Sequence, residues 1–298
     1  MTTEILQQQT TAIKPYVVSA DLGLLLAQWS KKTDIFTPSR EFMLSLRERF
    51  SKHMHNMFPN FILLDEIVLK NELEKKIKDY DLPVVTLDRV YTKGDFHLEI
   101  SRVVNVQCGD LGIQKRAGTL TLPEQINYIV KKLSGRDILL SDDVIFEGNS
   151  MSFAIHEFRE RGITVRAVCV GVGINEGLDR IATQVDSIES VYTFDSVVDE
   201  VCERDFYPGT PFSGRTLVGN ENIGLPYIAP FGLPEKWASI APGEVKSFSR
   251  FCIQQTIELF LEIEKNSGKR LRCRDLPRKV HGLPVGDERF VDVLHDLL

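Results

Sequence analysis

Asp137-Ile138-Leu139-Leu140-Ser141-Asp142-Asp143-Val144-Ile145-Phe146-Glu147-Gly148-Asn149-Ser150 compresses a strand, an acid pair and a turn into one stretch. Ile138, Leu139 and Leu140 form the short apolar run of a strand buried on both faces. Asp142 and Asp143 fall where that strand should end, and a tight turn with one glycine, Gly148, follows. Met151, Ala154, Ile155 and Phe158 then recur at helical spacing, with Asn149 or Ser150 suited to cap the helix. That helix should end at Gly162, and Thr164 to Val170 reads as a second strand. A strand–loop–helix–strand unit of this kind makes a parallel sheet. Open parallel sheets bind ligands beyond the carboxyl ends of their strands. A loop opening a helix there offers N–H groups to a phosphate. Adjacent carboxylates suit two sugar hydroxyls or a magnesium ion. Together they predict a ribose-5-phosphate site; the alternative is an ordinary α/β loop with two solvated acids.

Leu139 to Met151 resembles the phosphoribosyl-diphosphate (PRPP) motif of type I phosphoribosyltransferases, and the matching order of strands and helices extends over roughly 57–200. The resemblance implies that Asp142 and Asp143 hold the ribose hydroxyls and the metal-bound ligand. It also implies that Phe146, Glu147, Gly148, Asn149 and Ser150 wrap the 5′-phosphate, with Mg2+ as cofactor. The sequence departs from the family pattern at Glu147, where threonine is usual. It departs again at Phe146, where the hypoxanthine–guanine branch carries an aspartate. A carboxylate ~4 Å from a phosphate charge costs about 4 kcal/mol at an effective dielectric near 20. Glu147 must therefore point away, pair with a cation, or mark a loop that holds something else.

Working outward, 57–200 reads as an α/β core: a central parallel sheet flanked by helices. A helical cap precedes it (1–56), and irregular segments with a closing helix follow it (201–298). In the cap, Leu22 to Trp29 and a helix opening after Thr37-Pro38-Ser39 pack on the sheet; a partner-binding or homodimerising role is the second reading. Phe61 to Leu64 and Ile67 to Leu69 read as strands, Glu72 to Tyr80 as a charged helix, and Pro83 to Leu87 as a strand. Lys93-Gly94-Asp95, between alternating runs, predicts a hairpin. Gly109 to Gly118 lacks hydrophobic periodicity and predicts a mobile loop. Gly171 to Gly177, spaced G-x-G-x-x-x-G, predicts a strand-end loop rather than a dinucleotide fingerprint. Ser190 to Phe194 is the last strand expected.

Diphosphate needs fixed cations and N–H donors. Arg89, Lys93 and Arg102 are the expected contacts, with Lys115 and Arg116 in the mobile loop. In 201–240 the aromatics Phe206, Tyr207, Phe231 and Trp237 are candidates to stack on a flat heterocycle. Arg204, Asp205 and Arg215 are candidates for directional hydrogen bonds.

The chain has 298 residues, 43% hydrophobic and 26% charged, with a formal charge of −6. That is the composition of an ordinary globular protein, and its acidity argues against wholesale nucleic-acid binding. No apolar run approaches the ~20 residues of a membrane helix, and Met1 to Thr11 lacks a signal-peptide pattern. The cytoplasm is the expected compartment. Five scattered cysteines, without a C-x-x-C pair, fit reduced thiols. The His53-x-His55 spacing turns the rings to different helix faces. Lys269 to Arg274, with Arg278 and Lys279, is a basic cluster expected to be solvated or salt-bridged.

The sequence thus predicts a magnesium-dependent phosphoribosyltransferase acting on PRPP and a small heterocyclic acceptor. A non-catalytic nucleotide or PRPP sensor and an interaction module with a vestigial pocket are the competing readings.

Overall fold

The computed structural model describes residues 13–219 and 221–298; the polar start, Met1 to Thr11, lies outside them. The chain opens with β1 (Tyr16–Ser19), α1 (Leu22–Ser30), α2 (Arg40–Met57), β2 (Phe61–Leu64) and α3 (Glu66–Lys78). Next come β3 (Val84–Thr86), β4 (Phe96–His97), β5 (Ile100–Val104), β6 (Asp110–Lys115) and α4 (Leu122–Leu133). The central unit is β7 (Ile138–Ile145), α5 (Asn149–Arg159), β8 (Val165–Ile174), α6 (Asn175–Ala182) and β9 (Ser187–Phe194). It is followed by β10 (Asp199–Cys202), β11 (Arg215–Leu217), β12 (Ile223–Leu225), α7 (Pro234–Trp237), α8 (Val245–Ser267), β13 (Lys279–Val280) and α9 (Phe290–His295).

The α/β fold with a parallel central sheet is as expected. Five strands, in the order β4-β3-β7-β8-β9, pair in parallel throughout. Ile138, Leu139 and Leu140 are fully buried in the middle of that sheet, which explains the unbroken apolar run. From β3 the chain passes to β4 on one side, then returns to β7 and proceeds through β8 and β9 on the other. The order of strands therefore switches between β3 and β7, where open sheets bind ligands.

Two further sheets flank this one. β1 lies between β10 and β2 in a parallel three-stranded sheet. β13-β12-β11-β5-β6 is a mixed sheet. Residues on both sides of the α/β core, including Leu26, Phe50, Phe206, Phe248 and Phe290, share a single hydrophobic cluster. The terminal additions thus pack on each other as well as on the sheet.

Several local expectations are corrected. Ile67, Val68 and Leu69 are helical, because Asp65 caps α3 by accepting from Ile67 N and Val68 N. Lys93 to Asp95 is no hairpin: β3 and β4 run parallel. The Asp88 carboxylate turns the chain early by accepting from the N–H groups of Val90, Tyr91 and Thr92 at 2.7, 2.6 and 2.9 Å. The true hairpin joins β5 to β6. Its turn is closed by Asn105 Oδ1, which accepts from Gln107 N and Gly109 N. Gly109 to Gly118, expected as a loop, thus supplies strand β6. Gly171 and Gly173 lie inside β8, and the helix α6 opens directly at Asn175. The cap of α5 is Gly148 in the left-handed region (φ 77°), not Asn149 or Ser150.

Candidate functional site

β7 runs past the acid pair to Ile145 and delivers Asp142 and Asp143 to the switch point. Asp143 N donates to Asp142 Oδ1, and Val144 N to Asp143 Oδ1, both at 2.9 Å, which orients the two carboxylates locally. The turn that follows is held by backbone contact with α6. A Cβ on Gly148 would stand 2.8 Å from the Gly177 carbonyl oxygen, and one on Gly177 would collide with that of Phe146. Only glycine permits this approach, and only glycine adopts the φ of position 148 without strain. Glu147 is exposed. It accepts from Asn149 Nδ2 at 2.8 Å, and Asn149 Oδ1 accepts in turn from Arg180 Nη1 at 2.7 Å.

Asp142 and Asp143 face a cleft of about 330 Å3, bounded by the segment after β3, by β5, β10 and β11, and by Arg278. A second lobe of about 380 Å3 continues along Phe146 to Met151. Burial, then the neighbouring Asp143 and Asp88 carboxylates, hold the Asp142 carboxyl well above its ordinary range. Burial and Asp143 push Asp88 up to about 6, against the three N–H groups that favour its charged form. Burial also brings Glu200, which accepts from Ser19 Oγ, up to about 8.

Cations balance these acids. Arg204 donates from Nη2 to Asp143 Oδ2 at 3.3 Å and pairs through Nη1 with Asp21. Asp21 is fully buried and also accepts from Arg204 N at 2.9 Å. This is a residue that the sequence did not reveal: Asp21 lies in the cap, more than a hundred positions from the acids it serves, and no local pattern marks it. Behind it Arg47 bridges Glu203 and Glu66, and both carboxylates accept from N–H groups at the start of α1.

The structure brings together many of the expected residues. Arg89, Arg102, Arg116, Arg204 and Asp205 line the cleft with the acid pair and the turn. Arg89 is paired with Glu99, and Asp205 accepts from Gly214 N at 2.7 Å. Lys93 is exposed and outside the lining. Lys115 Nζ donates to the Thr119 carbonyl at 2.7 Å. Phe206, Tyr207 and Phe231 do not face the ligand space; they are buried in the large cluster that anchors the loop. Trp237 lines the cleft, but Arg215 lies over its ring at 4.7 Å. Two unforeseen aromatics line the cleft, Tyr227 and Phe212; Phe212 sits at φ 61°, with Arg116 over its ring at 5.3 Å. A bulky residue in that conformation is uncommon, and such positions cluster at functional sites.

An acid pair near the end of a central parallel strand, a glycine turn opening the next helix, and basic groups around both form the kind of crevice that the sequence resemblance implied. Sequence comparison agrees. The chain is 30% identical over 116 residues to uracil phosphoribosyltransferase of Kineococcus radiotolerans, covering 38% of this chain and 54% of that protein. It is 28% identical over 129 residues to uracil phosphoribosyltransferase of Corynebacterium diphtheriae, covering 42% and 59%. The chain thus spans little more than half the length of these curated relatives. No family model matches. Fold and similarity together support a divergent, type I phosphoribosyltransferase-like protein.

Proposed function

We propose that the protein transfers a 5-phosphoribosyl group from PRPP to a nitrogenous heterocycle and releases diphosphate. The observation that carries this reading is the juxtaposition, at the switch point, of Asp142 and Asp143 with the Gly148 turn and a ring of arginines. In this scheme the two aspartates hold the ribose hydroxyls, and Glu147 to Ser150 enclose the 5′-phosphate. Arg89 and Arg102 contact the diphosphate. The acceptor nitrogen bonds to the sugar carbon as the bond to diphosphate breaks; the electron pair leaves with diphosphate and the acceptor's proton passes to water. An oxocarbenium-like state, as in glycoside chemistry, lies between. The protein's work is to position the reactants and to stabilise the departing charge.

The paired carboxylates are hard oxygen donors of the kind magnesium takes, alongside oxygens of the ligand itself. Bound with PRPP, the ion would neutralise charge on the diphosphate. Among the described residues no group of three or more metal-ligating side chains is arranged to hold a metal, so the acid pair would need oxygens of the ligand to complete the ion's shell. No helix of the described residues is long and apolar enough to cross a membrane.

The test is a thermal shift with PRPP, with and without magnesium, followed by diphosphate release with candidate bases. Ligand at ~100 times its dissociation constant stabilises the fold by about 2.7 kcal/mol. The double variant Asp142→Asn, Asp143→Asn should keep its circular dichroism and lose turnover; unchanged turnover would sink the assignment. Glu147 motivates a second reading, a sensor that binds PRPP or a nucleotide without turning it over. Binding without diphosphate release in the presence of bases would favour it.

A further inference from the structure

Arg278 is 3% exposed, yet its guanidinium lines the cleft. Its hydrogen bonds go to neutral groups: Thr216 Oγ1 at 3.1 Å, the Gly214 carbonyl at 3.2 Å and Asn222 Oδ1 at 3.4 Å. Its Nε has no partner. Among the described residues it makes no salt bridge, whereas Arg89, Arg204 and Arg215 in the same cleft each have a carboxylate within 4 Å. A buried guanidinium without a counter-charge is costly, so its retention calls for an anion that the folded chain does not supply. Two neighbouring arginines share only the buried Nε without a hydrogen-bond partner, for Arg116 has Glu99 at 3.5 Å and Arg215 has Asp110 at 3.7 Å. Burial, with Arg116 nearby, lowers the Arg278 guanidinium to about 9, although the Asp205 carboxylate, too far for a salt bridge, favours its charge. The position is also sterically prepared, since a Cβ on Gly224 would collide with the Arg278 side chain.

Resting on the phosphoribosyltransferase reading, the Gly148 turn with Arg89 and Arg102 is assigned to PRPP. Arg278 immediately precedes β13 and reaches Thr216 of β11, in the mixed sheet that also carries Arg102 on β5. We infer that the acceptor is itself an anion, a heterocycle bearing a carboxylate or phosphate, and that Arg278, flanked by Arg116 and Arg215, is the counter-charge that selects it. The fork of a guanidinium suits two oxygens of such a group. A neutral base would leave Arg278 unpaired, which discriminates against it.

The test uses the full chain loaded with magnesium and PRPP, titrated with sulfate as the anion probe. A second test measures diphosphate release with matched pairs: uracil against its 6-carboxylate, and nicotinamide against nicotinate. In the wild type, sulfate should add a further thermal shift, and the carboxylates should outperform their neutral partners by about tenfold or more. Arg278→Gln should lose the sulfate response while its PRPP response stays within about twofold. Neutral partners that match the carboxylates, or a sulfate shift kept in Arg278→Gln, would overturn the inference. If Arg278→Gln does not fold, the wild-type pairs and Arg215→Gln decide on their own. A sulfate shift that needs Arg278, in a protein that ignores PRPP, would keep the anion site and remove the phosphoribosyl reading instead.

Discussion

Glu147 is one of the two residues, with Phe146, at which the turn departs from the motif it resembles, and its surroundings show how the departure is accommodated. The side chain is exposed and tied to Asn149. At that exposure its repulsion of a phosphate ~4 Å away is closer to the aqueous limit, about 1 kcal/mol. Glu147→Thr should therefore tighten PRPP binding by about fivefold in isothermal titration, rather than by orders of magnitude. The raised carboxyls make a second prediction. Asp88 sits at about 6 and Asp142 is raised above its ordinary range, so PRPP with magnesium should bind more tightly as pH rises through 6, with measurable proton release. Glu200 acts on stability in the opposite sense. Its carboxyl titrates near 8 when folded and at the ordinary 4.5 when unfolded. The folded state binds the extra proton across that window, so stability falls as pH rises through it. Glu200→Gln should stabilise the fold at pH 8 by about 1–4 kcal/mol, read as a higher melting temperature, and change it much less at pH 5.

At the scale of elements, the phosphate turn and α6 behave as one unit, because the backbone of Phe146 and Gly148 rests on Gly177. Gly177→Ala should cost about 1–3 kcal/mol in chemical denaturation and weaken PRPP binding, although residue 177 touches no ligand in the proposed scheme. This coupling was invisible in the sequence, where Gly177 was one more glycine in an expected loop. What could be read there was local. The all-apolar Ile138 to Leu140, the Met151 to Phe158 spacing and the helix start after Thr37-Pro38-Ser39 each carry their cause within one turn or one strand. The failures have non-local causes. Gly112 sits at φ 73° in β6, so the glycines that suggested a loop are those that let a strand bend. Asp88, not Gly94, turns the chain after β3, through a side chain folded back on its own backbone. Phe206 and Tyr207 face the terminal helices because those helices pack together, a fact that no window of sequence contains.

Across the whole molecule, the shared cluster makes the site dependent on both ends of the described chain. Phe290, fully buried, meets Phe260 edge-on with centroids 4.7 Å apart. Phe290→Ala should destabilise by about 3–5 kcal/mol. Because its cluster also holds Phe206, next to Asp205 and Arg204, ligand binding should be lost in the same urea transition as helical signal, not after it. The middle position of β1 carries a consequence for how the protein comes into being. Tyr16 and its neighbours pair with β10, and Asp21 meets Arg204 across 183 positions. Long-range pairing of this kind is slow and is paid for in loop closure before it is rewarded. During synthesis the N-terminal strand must wait, one edge unpaired, until the ribosome has released the segment beyond Arg204. A nascent chain halted before that point would carry the acid pair of Asp142 and Asp143 but not the arginine that balances it. The cleft is therefore one of the last features to mature on the ribosome, and truncated products should be sticky before they are active.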